Sequence, residues 1–173
     1  MIKVLRRSLF LVALAVGITW VLRTFLFDTI LVASGSMEPT LPVGDHYWVN
    51  RLTYRFHGPA RGDIIVFRSP VDEETGFIKR VIAVSGDSVE LREKHVILNG
   101  KPLEEPYTVY KRAKEALEGD NLGPLKVPEG TVFVLGDDRD ESFDSTTWKD
   151  PKTKEHIYFL PLTHIKGKLI EIL

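Results

Sequence analysis

From Tyr47 onward the chain is cut into short runs rich in Val, Ile, Phe and Tyr, each stopped by Gly, Pro or Asp before a helical period can develop. β-branched and aromatic residues in such runs suit a pleated, half-buried surface. The pattern therefore predicts a mostly β fold: an antiparallel sheet or partly open barrel, with helix scarce outside the N-terminus. Strands are expected at Asp28–Val32, His46–Arg51, Asp63–Arg68, Ile78–Ser85, Ser88–Arg92, His95–Leu98, Thr131–Leu135 and Lys166–Ile172. Gly86-Asp87 and Asn99-Gly100 supply tight-turn signals between neighbouring runs. The polar stretch 102–128 reads as a loop or small cap, with one helical turn at Ala113–Leu117, and 149–156 as a second, solvated loop.

The N-terminus follows a different rule. Lys3, Arg6 and Arg7 precede an apolar run from Leu9 to Leu22, and after Arg23 the apolar character resumes at Phe25, Leu26 and Phe27. This predicts one transmembrane helix over 8–27, a cytoplasmic stretch over 1–7, and an extracytoplasmic domain over 28–173. The uninterrupted run is shorter than the ~20 residues a bilayer core asks for, so Arg23 has to snorkel, with Trp20, Phe25 and Phe27 near the interface. A cleaved secretory signal would also have a basic start and a short apolar run. No small-x-small site directly follows Leu22, which favours a retained single-pass anchor in the cytoplasmic membrane.

Composition removes several function classes. The 23 basic and 24 acidic residues nearly cancel, so no nucleic-acid footprint emerges. The chain has no cysteine, which excludes disulfides, thiol nucleophiles and zinc-thiolate sites. His46, His57, His95, His156 and His164 lie too far apart for the short spacings of metal motifs, and read as surface or loop residues.

Three segments carry candidate chemistry. Ser34-Gly35-Ser36-Met37-Glu38-Pro39-Thr40-Leu41 sets two hydroxyls around a glycine, with Pro39 fixing the exit direction. Such a stiff loop could present Ser36 as a nucleophile, although Ser, Gly and Pro also build ordinary turns. Phe77-Ile78-Lys79-Arg80-Val81 places a lysine inside an apolar strand. It is either an edge charge that deters aggregation or an amine whose pKa burial lowers until it can serve as a general base. Arg80 alternates to the opposite face, so the two cations need not compete. The third segment, Gly136 to Ser145, packs opposing charges directly behind a strand. A solvated turn or a calcium loop would also be acidic, but the spacing lacks the glycine and glutamate of an EF-hand.

Ser34-Gly35-Ser36-Met37-x-Pro39-Thr40-Leu41, Gly62-Asp63-Ile64-Ile65-Val66-Phe67, Phe77-Ile78-Lys79-Arg80-Val81 and Gly136-Asp137-x-Arg139-Asp140-x-Ser142-x-Asp144-Ser145, in this order, resemble bacterial signal peptidase I. Phe159-Leu160-Pro161 with Ile165-Lys166-Gly167-Lys168 is similar to that family's closing segment. The resemblance implies a membrane-bound serine endopeptidase without a cofactor, acting on signal-peptide-bearing preproteins at the outer membrane face. It implies Ser36 as nucleophile and Lys79 as general base. Ser34, with the Ser36 backbone N–H, would form the oxyanion hole. Ser142 would orient the lysine amine, and Asp137, Arg139 and Asp144 would brace the site. Thr29–Ala33 and Gly76–Ile78 would hold the substrate between them as an added strand. Ile30, Val32, Met37, Leu41, Val66, Phe77 and Ile78 would shape its pockets.

The chain departs from the family pattern in the acidic loop. Asp138 and Glu141 stand where amides are common, and Thr146 where an arginine often partners the downstream aspartate. These changes predict a rearranged bracing network and a lysine pKa less depressed than usual. Two rival readings are a dedicated peptidase of the same clan that matures one precursor and a membrane-tethered β-domain that binds peptides without cutting them.

Overall fold

The computed structural model describes residues 2–72 and 74–170. Helix α1 spans Ile2–Leu26, and the strands that follow are β1 (Phe27–Leu31), β2 (His46–Asn50), β3 (Ile64–Arg68), β4 (Gly76–Val84), β5 (Ser88–Arg92), β6 (His95–Leu98), β7 (Lys101–Pro102), β8 (Leu122–Lys126), β9 (Thr131–Leu135), β10 (Leu160–Pro161) and β11 (Ile165–Ile170). A single helical turn, α2 (Thr53–Phe56), follows β2. The fold is mostly β, as the punctuated runs require. Every expected strand forms within one or two residues of its expected ends, except that positions 171–172 of the last lie outside the described residues.

All strand pairs are antiparallel and divide into two sheets. The larger has the order β1-β2-β11-β3-β4-β9-β10, and the smaller β7-β6-β5-β8. Among the described residues both sheets are open, and neither closes into a barrel. β4 is the pivot, because its pairing with β9 slips by one residue between Val81 and Ala83. Without that bulge alternate residues would face the same side. With it, Val81 joins Ile65, Phe67, Val132, Val134 and Trp148 in one core, while Ile82 and Ala83 join Val89, Val96 and Phe133 in another. A third cluster of Val32, Met37, Leu41, Ile64 and Leu169 anchors the loop between β1 and β2.

One expectation is corrected here. Segment 102–128 is not merely a loop, because Leu122–Lys126 pairs with β5 as the edge of the smaller sheet, and Ala113–Leu117 forms turns rather than helix. Gly123-Pro124 breaks the apolar alternation that would have signalled the strand, and proline is tolerated there because the strand is an edge.

As to the expected anchor, among the described residues no helix is long and apolar enough to cross a membrane. Between Arg7 and Arg23 lie 15 residues, which as helix cover about 22 Å against a hydrocarbon core of about 30 Å. The interfacial placement expected for Arg23, Phe25 and Phe27 falls on side chains outside the described residues.

Candidate active site

The Ser34–Leu41 loop is held from both ends. Val32 exchanges backbone hydrogen bonds with the return strand, its N–H donating to Asp45 (2.9 Å) and its carbonyl accepting from Gly44 (2.9 Å). Inside the loop, Gly35–Met37 forms one 3₁₀ turn, and the Leu41 N–H donates to the Met37 carbonyl. Met37 and Leu41 are buried plugs in the third core cluster, so burial of these side chains sets where Ser36 sits. Ser36 is 8% exposed at the mouth of a cavity of about 70 Å³.

β4 delivers the base. Lys79 pairs with Ile65 in mid-strand and is 1% exposed, on the face it shares with Phe77 and Val81. Its Nζ lies 2.7 Å from Ser36 Oγ and 5.6 Å from the Phe77 ring centre. Burial pushes the amine down from its ordinary value to about 8, against the carboxylates of Asp144 and Asp137, which push the other way. Both readings of a strand lysine are thereby decided on geometry: an edge charge would be solvated, and this one is enclosed. Ser34 Oγ stands 3.3 Å from Ser36 Oγ, on the exposed side of the nucleophile.

The loop from Gly136 to Ser145 closes the site from behind. The Asp138 N–H donates to the Ser36 carbonyl (3.2 Å), tying the two loops together. Asp137 accepts both arms of Arg80 (2.8 and 2.6 Å) and the Thr40 hydroxyl (2.5 Å), so one carboxylate joins β4 to the nucleophile loop. Asp144 accepts from the Gly136 N–H (3.0 Å) and from the N–H and hydroxyl of Thr146 (3.1 and 2.8 Å). Thr146 thus bonds the aspartate, from the position where the family pattern often has an arginine. Arg139 donates to the Gly136 carbonyl (3.0 Å) and pairs with Glu105 (2.5 Å).

Ser142 arrives beside the Ser36 carbonyl, across Gly136. Its hydroxyl is buried and has no hydrogen-bond partner among the described residues. The orienting bond expected between Ser142 and Lys79 is therefore not formed, and the contact of Nζ runs to Ser36 Oγ.

The pocket residues divide. Ile30, Met37, Phe77 and Ile78 line the 70 Å³ cavity, joined by Leu31, Ala33 and Gly76. Val32 and Leu41 do not line it; they are 3% and 0% exposed and pack behind it as core. Val66 lines a separate cleft on the other side of Ile30.

Several supporting groups escaped the sequence reading because they come from the polar stretch 102–128. The Val109 N–H donates to the Asp137 carbonyl (3.0 Å), and the Arg139 N–H donates to the Val109 carbonyl (3.1 Å), so this stretch lies alongside the acidic loop like a strap. Tyr107 stacks under the Arg80 guanidinium, 3.9 Å from its ring centre. Lys111 pairs with Asp138 (2.6 Å) and Glu38 (3.1 Å), and Lys94 pairs with Asp140 (2.6 Å). The extra acidity of the loop is thus met by cations, Lys111 at Asp138 and Arg112 at Glu141 (3.4 Å). No local sequence signal links Lys111 to Asp138, 27 positions away.

Lys111→Met should leave the fully buried Asp138 carboxylate without its Lys111 countercharge and lower the stability of the fold. Adding Asp138→Asn should recover most of that loss. Urea unfolding of the three variants measures it, and a double variant no better than Lys111→Met would refute the pairing.

Among the described residues no group of three or more His, Asp or Glu side chains is arranged to hold a metal. Residues 5–173 match the family described as signal peptidase, peptidase S26. The chain is 35% identical over 165 residues to signal peptidase I P of Bacillus subtilis subsp. natto, covering 90% of this chain and 88% of the relative. It is 38% identical over 170 residues to probable signal peptidase I-1 of Synechocystis, covering 94% and 79%. A crystal structure of a signal peptidase I from Enterococcus faecalis V583 aligns with 65% of this chain and 97% of its own, at 30% identity and a TM-score of 0.49.

Proposed function

The chain belongs to the signal peptidase family, peptidase S26, and from that premise we propose that it cleaves signal peptides from exported preproteins by acyl transfer through Ser36. The observation that carries this reading is the 2.7 Å approach of a fully buried lysine amine to a serine hydroxyl. A hydroxyl becomes a competent nucleophile when a neighbour accepts its proton, and a neutral amine does this without histidine. Ser36 Oγ attacks the scissile carbonyl while Lys79 Nζ takes the hydroxyl proton. The tetrahedral oxyanion is received by the Ser36 N–H and the Ser34 hydroxyl. Lys79 then gives its proton to the leaving amine. In the second half, Lys79 accepts a proton from water, which attacks the acyl-enzyme and releases Ser36.

The preprotein segment before the cut lies between 29–33 and 76–78, the two walls of the 70 Å³ cavity. A cavity this small and apolar favours small side chains next to the bond. Ser142 is read as an orienting group for Lys79 once substrate fills the cavity. Asp137, Arg139 and Asp144 are positioning residues that hold the two loops in register.

Lys79 must be neutral to act, and protonated amine dominates below about pH 8. Cleavage should therefore fall about tenfold per pH unit on the acid side and level off above pH 8. Measurement of kcat/KM with a soluble peptide substrate tests this, and a flat profile between pH 6 and 9 would contradict Lys79 as base.

Helix α1 is read as the membrane anchor, with its basic N-terminal turn in the cytoplasm and the β domain outside. Support comes from Leu9, Phe10, Leu11, Val12, Val16 and Ile18, each more than half exposed on all sides of the helix. Helices apolar all round belong in a core or in lipid. The short span is compatible with lipid if Arg23 snorkels and the bilayer thins locally. Resistance to alkaline extraction from membranes tests the anchor independently of activity. The rival non-catalytic reading leaned on the acidity of the 136–145 loop, where Asp138 and Asp140 are ion-paired.

A further inference from the structure

A cleft of about 510 Å³ opens beside α2, lined by Arg51, Arg55, Arg68 and Lys166 with Leu162 and Ile165 at its floor. All four cations are exposed, and among the described residues none of them makes an ion pair. Among the described residues no carboxylate lines the cleft. Asp63, on the neighbouring strand end, is already bonded to Lys168, Tyr54 and the Ala60 N–H. Asp28 lines an adjacent cleft with Arg51 and Lys166, and its Oδ1 accepts the Thr29 N–H. Elsewhere on this chain charges of both signs interleave: Lys94, Lys111 and Arg139 all have carboxylate partners. Four like charges left facing one cleft repel one another unless an anion enters.

Two further observations say which anion. Phe56, the last residue of α2, directly follows Arg55 and is 83% exposed, the most exposed large hydrophobic side chain among the described residues. The strand register also fixes where this patch lies. Phe27, which directly follows α1, pairs with Asn50, so Arg51 and α2 emerge at the sheet end where α1 enters. Lys168 pairs with Asn50 and Ile165 with Phe67, which brings Lys166 and Arg68 to that same end. Gly76, the first residue of the cavity wall, pairs with Arg68.

We propose that Arg51, Arg55, Arg68 and Lys166 form a site for the phosphate headgroup of an anionic phospholipid, with Phe56 entering the acyl boundary beside it. The inference rests on the membrane-anchored reading of α1. A phosphate oxyanion satisfies guanidinium groups in pairs, and an apolar ring beside the charges suits a headgroup that continues into acyl chains. Basic residues near an anionic leaflet gain about 1 kcal/mol each, roughly a fivefold change in partitioning per cation. Docking here would draw the sheet end that carries Gly76 and Arg68 toward the bilayer surface, where a signal peptide leaves the lipid.

The absence of cysteine makes the test direct. The full chain carrying Phe56→Cys, labelled there with an environment-sensitive fluorophore, is reconstituted in phosphatidylcholine vesicles with and without phosphatidylglycerol. Quenching of the label by acrylamide, a neutral quencher that an anionic surface does not repel, should fall about fivefold in the anionic vesicles, and Arg51→Gln with Arg55→Gln should restore quenching. Lys166→Gln serves as a milder second variant and should restore part of it. Equal quenching in both vesicle types, or protection unchanged in the arginine and lysine variants, would overturn the proposal. So would loss of protection on adding inorganic phosphate at matched ionic strength, which would make the cleft a free-phosphate site. Retention of the chain after alkaline washing separates failure of this site from failure of the anchor, since a washed-off chain refutes the anchor itself.

Discussion

Ser36→Ala is expected to lower preprotein cleavage on the order of 10⁴- to 10⁶-fold, and Lys79→Ala to do the same. Each change removes one end of the 2.7 Å contact on which attack depends. The two losses should not add. A nucleophile without its base and a base without its nucleophile are equally idle, so the double variant should be no slower than either single one. The residual rate would report what cavity and oxyanion donors contribute without covalent chemistry. Preprotein cleavage followed by the mass of the released peptide decides the matter, alongside thermal unfolding to show that each variant still folds cooperatively. Cleavage that survives either substitution at more than about a hundredth of the parent rate would remove the dyad from the mechanism.

Gly136→Ala should also be damaging, although residue 136 touches no substrate. A Cβ at this position would fall well inside van der Waals distance of the Ser142 side chain and of the Ser36 carbonyl oxygen. A side chain can swing aside, but a backbone carbonyl that also accepts the Asp138 N–H cannot do so cheaply. The nucleophile loop would have to back away from the acidic loop, and Ser36 Oγ would leave the reach of Lys79. Displacements of about 1 Å at a reacting atom cost on the order of 10²-fold, so a loss of that size or larger in kcat is expected. KM should change less, because the cavity walls at 29–33 and 76–78 belong to other segments. Near-normal kcat for Gly136→Ala would show that the two loops are not held in register through this contact.

Much of this arrangement was legible in the sequence, and the parts that were not share a cause. Strand positions followed from runs of β-branched residues between turn signals, since burial on a pleated sheet leaves a pattern of period two. Ser36 and Lys79 could be singled out because each is chemically out of place, a serine in a rigid glycine-proline loop and a lysine in an apolar strand. Alternation along β4 also put Arg80 on the far face, where it meets Asp137 and Tyr107. Val32 and Leu41 were assigned to the pocket because apolar residues near a nucleophile look alike whether they face substrate or core. Only tertiary packing separates them. The strap formed by 105–112 was invisible because its contributions are single charged side chains and backbone bonds, with no periodicity to announce them. The same holds for β8, whose glycine and proline hide an edge strand.

Burial of Lys79 also bears on the stability of the whole domain. Lowering an amine from 10.5 to about 8 corresponds to about 3 kcal/mol of disfavour for the charged form, at 1.36 kcal/mol per unit. That is a sizeable share of the 5–15 kcal/mol that typically holds a domain together. At neutral pH the unfolded chain keeps the proton in water, while the folded chain must either release it or enclose the charge. The fold is therefore less stable than its own core would allow, and the deficit is concentrated in the residue the reaction cannot do without. An apolar side chain of similar length would pack between Ile65 and Phe77 at no such cost. The stability forgone and the activity here trace to one nitrogen atom, so selection for a sturdier protein alone would tend to erase the enzyme.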